Sequence, residues 1–341
     1  MSSERSAQGE LAVDTETVSL KTEGVSGQHA DALLYVTAIR EVSAGLAEQD
    51  LLWMTTWLGT RTSVEFGPGR PLLLINDQLR VYDQQPLVLA SLRTGDVTPL
   101  VQLAIAGAQQ GCRAVDLLLD HPELGEREML PLAVRAVDQA LGCPFSLDTR
   151  NVVAIERALD GYAGKAMLNP IVCEQPVLAA LLPLVQKHRM VVVAMLVDDV
   201  RIPGTWQERL SIARRILQVT DDAGIPRDDL VFDCVCMASA ALPNSMQTTL
   251  DSLKAVHEEL GMSTLLGIGN AGFGMPDPTR LDMLYLCIAA SWGLDAALVD
   301  YHTEHLALHS QAIDFLTGRD LYGQGYLDYC RRTADLRRSR R

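Results

Sequence analysis

Asparagine and aspartate recur at one kind of place along this chain, where a short apolar run stops. Asn76 and Asp77 follow PLLLI, Asp116 and Asp120 lie in RAVDLLLD, Asp148 closes PFSLD and Asn169 closes KAMLN. Asp198 and Asp199 follow the run from Met190 to Val197, Asp233 closes DLVFD, Asn270 closes TLLGIGN and Asp300 closes DAALVD. Carboxylates accept hydrogen bonds from N–H groups, and a carboxamide both accepts and donates. A rim of such groups suits a flat heterocycle with amino and amide edges. Phosphate would want basic side chains or a helix N-terminus instead. A hard cation such as Mg²⁺ could also use clustered carboxylates. Taken singly, each residue is as well explained as a helix cap or turn former. Asp148, Asn169, Asp233 and Asn270 resist that explanation together, because each directly ends a buried run.

The elements that must position these residues follow from the pattern. From Pro71 to about Leu316, apolar runs alternate with segments of helical periodicity, eight times over. The strands are expected at Pro71–Asn76, Arg113–Asp120, Pro144–Asp148, Lys165–Asn169, Met190–Val197, Asp229–Asp233, Thr264–Gly269 and Asp295–Asp300. Thr98-Pro99 is expected to open one helix, with Thr98 as its cap, and Asp277-Pro278 another. Thr205 to Glu208 reads as a capping box. Continuously apolar strands joined by helices indicate a parallel sheet covered by helices. Eight units in this length fit a closed (β/α)₈ TIM barrel better than an open doubly wound sheet, and barrel chemistry sits at the C-terminal strand ends.

Outside the barrel, residues 1–28 read as a flexible polar tail and 29–70 as a short N-terminal helical extension. That extension is helical to about Trp57, with Glu65 to Pro71 as linker. The barrel spans 71–318, and 319–341 reads as a basic solvated tail. The chain has 341 residues, 48% hydrophobic content and a formal charge of −14. That balance argues against nucleic acid and anionic membrane surfaces as partners. No stretch reads as a signal peptide or a bilayer span, so the expected location is cytoplasmic. The seven cysteines are then expected to be reduced.

LLGIGNAGFGMP and GLDAALVD resemble the seventh- and eighth-strand signature of the methyltetrahydrofolate:corrinoid methyltransferases, pterin-binding barrels related to the folate module of cobalamin-dependent methionine synthase. Leu147-Asp148-Thr149 is similar to that family's third-strand motif, Met167-Leu168-Asn169 to its fourth, and Asp233 to its sixth-strand aspartate. The resemblance runs from roughly Leu72 to Leu306. It implies that Asp148, Asn169 and Asp233 hold the pterin's amino-pyrimidine edge, with Asp77 and Asp116 on the neighbouring strands. It implies that Asn270 lies near N5 and assists catalysis. The implied reaction moves a methyl group between N5 of tetrahydrofolate and the cobalt of a corrinoid (cobalamin) carried by a partner protein, with no metal bound by the barrel itself. The chain departs from the family at three places. Asn76-Asp77-Gln78 stands for an acid–Arg motif, Leu118 for an Asn, and Ala271-Gly272 for Val/Ile-Ser.

Several competing readings bear on the same residues. Gly267 to Gly272 matches G-x-G-x-x-G, but Pro276 and Pro278 precede any helix, so the dinucleotide context is missing. His302, His305 and His309 are spaced for a Zn²⁺ site or for an edge helix face. Cys234 and Cys236 read as core cysteines. Dihydropteroate synthase shares the barrel but calls for basic residues after the last two strands, where this chain has Asn270 and Asp300-Tyr301-His302. A non-catalytic folate-binding barrel is the alternative outside enzymes. The apolar face expected at 29–57 has to be buried somewhere, which suggests a homodimer.

Overall fold

The structure is a computed structural model that describes residues 54–81 and 86–339. Eight parallel strands close a barrel: β3 (Leu73–Arg80), β4 (Ala114–Leu118), β5 (Phe145–Asp148), β6 (Met167–Cys173), β7 (Val191–Asp198), β8 (Leu230–Asp233), β9 (Ser263–Gly267) and β10 (Ala296–Val299). Each pairs with the next, and β10 closes onto β3 through Ala296↔Leu73 and Val299↔Asn76. The helices between them are α1 (Pro86–Arg93), α2 (Thr98–Gln109), α3 (Glu126–Leu141), α4 (Val152–Leu159), α5 (Gln175–His188), α6 (Trp206–Asp222), α7 (Ser245–Ala255), α8 (Pro278–Ser291) and α9 (Leu306–Leu316). The chain is therefore a (β/α)₈ TIM barrel. No helix among the described residues is long and apolar enough to cross a membrane.

Because side chains alternate along a strand, the barrel has two concentric cores. The outward rows, such as Leu74, Leu147, Leu168 and Phe232, pack under the helices. The inward rows, such as Leu73, Ile75, Met167, Val193 and Leu265, fill the lumen.

The residues just before the barrel differ from the expectation. Thr55–Leu58 and Ser63–Phe66 are strands β1 and β2 of an antiparallel hairpin, where the periodicity predicted a helix end and a linker. The helix expected from residue 29 otherwise lies outside the described residues. Trp57, Val64 and Phe66 pack against the inward rows near the strand starts, and Trp57 is fully buried. Leu58 accepts from the Lys165 N–H at 2.8 Å, and Gly142 O accepts from the Arg61 and Thr62 N–H groups. The hairpin thus plugs the N-terminal end of the barrel, leaving the C-terminal end open.

Smaller corrections have local causes. Val97, not Thr98, holds the cap position of α2, and Asp96 accepts from the Thr98 N–H at 2.9 Å. Asp277 precedes α8 without capping it, because its carboxylate pairs with Arg280 at 3.0 Å. The Thr205–Glu208 capping box forms as expected. The stretch read as a solvated basic tail is helical from Gln324 to Ser339 (α10).

Candidate active site

The inward row of almost every strand ends in the same space. Leu73 and Ile75 lead to Asp77, Ala114 to Asp116, Met167 to Asn169, and Val231 to Asp233, each by the two-residue period of a strand. Asp148 closes β5 in register with Asn169. These five side chains and Asn270 line one cavity of about 660 Å³ at the C-terminal mouth. Leu118, Met195, Leu298 and Pro170 give it an apolar wall, while Arg80 and Phe273 stand at its edge. A flat, partly polar ring fits such a space.

The acidic lining is electrostatically tense. Asp116 and Asn169 are nearly closed off from solvent, and Asn169 Nδ2 donates to Asp116 Oδ1 at 3.3 Å. Burial pushes the Asp116 carboxyl well above the usual range, and the neighbouring Asp148 charge adds to that. Burial also raises Asp148, against the pull of Arg80 and Arg150. Asp233 is pushed up to about 6 by burial, although it accepts a hydrogen bond from the Val235 N–H at 2.8 Å. Asp77 is raised by burial and held back by Arg80, whose Nη2 donates to its Oδ2 at 2.8 Å. Carboxylates kept this dry are strong acceptors for any N–H that replaces the missing water.

Asn270 sits differently from the others. β9 stops at Gly267, and Asn270 ends a single 3₁₀ turn from Ile268, exposed on the lip of the cavity. The following loop is fastened by the Gly272 N–H, which donates to Asp282 Oδ1 at 2.7 Å. A side chain at Gly272 has no room, because its Cβ would lie 2.6 Å from Pro278 O. The family's serine is therefore excluded here by the neighbouring backbone.

The other strand-end candidates turn away. Asn76 is fully buried behind the strand, with its Nδ2 on Leu103 O at 3.0 Å and its Oδ1 accepting from the Gln78 N–H. Asp198 accepts from the Val200 and Arg201 N–H groups of its own loop. Asp300 accepts from the His302 N–H at 2.8 Å. Asp120 and Asp199 are exposed and do not line the cavity. His305 and His309 meet edge to face at 6.4 Å, and among the described residues no three His, Cys, Asp or Glu side chains converge as metal ligands. Cys234 and Cys236 are both buried.

Arg80, which lies just beyond the expected strand end at Asn76 and is not among the expected site residues, also lines the cavity. A bulge between Asn76 and Leu79 carries β3 four residues past the expected stop at Asn76, to Arg80, and brings Arg80 to the mouth. The chain thus recovers an acid–arginine pair from Asp77 and Arg80, after losing the adjacent one at Gln78. Cavities of similar volume lie at the other end of the barrel. One of about 570 Å³ is lined by His257 and Arg319, and one of about 620 Å³ by Lys165 and Asp229. Neither gathers a converging set of carboxylates and amides.

Residues 90–300 match the family described as pterin binding enzyme. Among curated proteins, a methionine synthase of Mycobacterium tuberculosis is 23% identical over 280 residues, which is 76% of this chain and 23% of that protein. The corresponding protein of Mycobacterium leprae is 22% identical, over 76% of this chain and 24% of its own length. The chain thus spans about a quarter of the methionine synthases it matches. A methylcorrinoid:tetrahydrofolate methyltransferase of Eubacterium limosum is 20% identical, over 69% of this chain and 88% of that protein. Among solved structures, a Clostridium difficile dihydropteroate synthase determined with pteroic acid aligns with TM-score 0.54 and 16% identity, covering 73% of this chain and 97% of that one.

Proposed function

The chain belongs to the family of pterin-binding enzymes, and from that premise we propose that it is a methyltransferase working between N5 of a tetrahydrofolate and the cobalt of a corrinoid carried by a partner protein. The observation that carries the reading is the convergence of Asp148, Asn169, Asp233 and Asn270 on one cavity at the barrel mouth. The names of two kinds of relative, methionine synthase and methylcorrinoid:tetrahydrofolate methyltransferase, point the same way.

Asp148 and Asp233 accept from the pterin's ring and amino N–H groups. Asn169 is held by Asp116 so that its carboxamide faces the same edge. Met195, Leu118 and Leu298 cover one side of the ring and keep water from the carboxylates. When the methyl departs, the electron pair of the C–N bond stays on N5, so N5 must carry a proton or accept a hydrogen bond at that moment. Asn270 is neutral, exposed and free to turn its amide, so it donates to N5 in one direction and accepts from protonated N5 in the other. A donor whose bond strengthens as charge develops lowers the barrier. Asn270 and Phe273 form the exposed lip of the cavity, where a partner's corrinoid would dock and its cobalt would supply or accept the methyl group.

The competing synthase chemistry expels pyrophosphate, and this lining, with four aspartates and Arg80, is poorly charged for it. The test is spectroscopic: methylcobalamin and tetrahydrofolate are mixed with the chain, and the cobalamin absorbance is followed. Methyl exchange that falls about a hundred-fold in Asn270→Ala, with tetrahydrofolate affinity kept within a few-fold, is the expected result. Tight folate binding with no exchange in the wild-type chain would leave a binding protein instead.

A further inference from the structure

Arg209 lies on α6, 2% exposed, and none of its donors goes to a carboxylate. Its Nη1 donates to Cys234 O at 2.6 Å, to Val235 O at 3.1 Å and to Thr249 Oγ1 at 3.2 Å, and its Nε reaches Pro203 O at 3.3 Å. One cation therefore gathers the loop after β7, the loop after β8 and the body of α7. Thr249 Oγ1 adds a bond to Val235 O at 2.8 Å.

The residue so held is unusual. Val235 has φ of +63°, a conformation that β-branched residues adopt only when their surroundings impose it. In that conformation its N–H points back to Asp233 Oδ1 at 2.8 Å. Burying a guanidinium is costly, and an apolar side chain of the same size would fill the space more cheaply. The arrangement makes sense if the fixed turn and the fixed charge serve Asp233.

We propose that Arg209 is a positioning residue for Asp233, holding the Cys234–Val235 turn so that the Asp233 carboxylate faces the pterin edge. This rests on the pterin reading of the cavity. The charge acts as well as the hydrogen bonds. Asp233 faces Arg209 from α6, Asp148 from β5 and the Val235 N–H of its own turn; Arg209 and the N–H favour its ionised form, while burial and Asp148 oppose it. Arg209 also faces Cys234, Cys236 and Tyr285. Burial pushes those three upward, so they stay neutral between pH 5 and 8.5.

The experiment measures tetrahydrofolate affinity by anaerobic calorimetry from pH 5 to 8.5, on the full chain and two variants. Wild-type affinity is expected to fall as pH drops through about 6. In Arg209→Gln both the charge and most of the hydrogen bonds are gone. The midpoint should rise by about one pH unit, with an extra loss of about ten-fold at pH 5 that shrinks to about two-fold at pH 7, and at pH 8.5 only the pH-independent loss shared with Arg209→Lys should remain. Arg209→Lys keeps the charge but cannot reach all the carbonyls. It should bind about three- to ten-fold more weakly at every pH, with the midpoint unmoved. Wild-type affinity and midpoint in both variants, or a loss in Arg209→Gln that is the same at every pH, would overturn the assignment. If Arg209→Gln does not fold, Arg209→Lys decides: wild-type affinity there is against it, and a uniform loss is for it. A wild-type chain that binds no pterin at any pH would sink the cavity reading, and this inference with it.

Discussion

Asn169 on β6 reaches across β5 to donate to Asp116 on β4, at 3.3 Å. Inward side chains of alternate strands meet in layers in this type of barrel, and this layer is polar. Asp116 thus turns one of Asn169's two faces into a structural contact and leaves the other for a ligand. Replacing Asn169 with alanine should weaken pterin binding by about ten- to a hundred-fold, since it removes one polar contact and leaves the Asp116 carboxyl without its donor. Titration calorimetry reads this directly, and an unchanged affinity would remove Asn169 from the site.

Buried carboxyls set the pH dependence of stability. Asp116, Asp233, Asp295 and Asp314 are all shifted upward by burial, Asp233 and Asp314 to about 6. The folded chain then holds protons that an unfolded chain, with carboxyls near 3.8, has already released. Stability is therefore full below that value and falls as pH rises through the folded values. Carboxylates shifted the other way, such as Glu156, Asp198 and Glu208, are exposed, and solvent screens them. Urea midpoints should be lower at pH 8 than at pH 5.5, and Asp116→Asn, which does not titrate, should flatten part of that slope. A midpoint that rises from pH 5.5 to 8 would contradict this account.

Trp57 offers a test of the plug. It is fully enclosed by the hairpin and the barrel's inward rows. Trp57→Ala should cost about 3–5 kcal/mol by chemical denaturation. Because the plug lies at the opposite end from the mouth, folate affinity of the folded fraction should stay near wild type.

Gly272 tests how the lip is built. Gly272→Ser restores the residue usual in the resembling methyltransferases, yet a Cβ there meets Pro278 O at 2.6 Å and Asp282 Oδ1 at 2.9 Å. The change should destabilise the chain by about 1–3 kcal/mol and slow methyl transfer. Thermal melts and the cobalamin assay report the two effects; a more active Gly272→Ser would mean that the loop repacks freely.

The legible part of the site was the part governed by a simple period. Asp148 and Asp233 close short strands whose inward and outward rows alternate without interruption, so a polar last residue announces the mouth. Asn169 is expected to close its strand too, but β6 runs on to Cys173 and Asn169 is only its third residue. Arg80 escapes because the bulge at Asn76–Leu79 resets the alternation, and nothing local in NDQLR marks that reset. Arg209 reads as an ordinary polar position in a helix, since the carbonyls it holds are 25 and 26 residues further along the chain. The hairpin was missed for another reason. Four-residue strands are too short to show a period of their own, and Trp57 follows text with helical spacing. Asn76 and Asp77 show the opposite lesson: both are polar and adjacent, and only the strand's parity sends one to the cavity and the other behind it.

The plug also dictates where this chain can be cut. Pro71 is the natural place to begin an excised barrel when only the repeating strand–helix units are considered. A fragment starting there would leave Leu73, Ile75, Met167 and Val191 facing water at an open base. The hairpin begins at Thr55, so the smallest expressible piece has to carry about sixteen residues, 55–70, that belong to none of the eight repeats. Any graft of this barrel into a longer polypeptide inherits the same constraint: the joint has to fall upstream of Thr55, at the end of the molecule away from the chemistry, where a fused neighbour would not crowd the mouth.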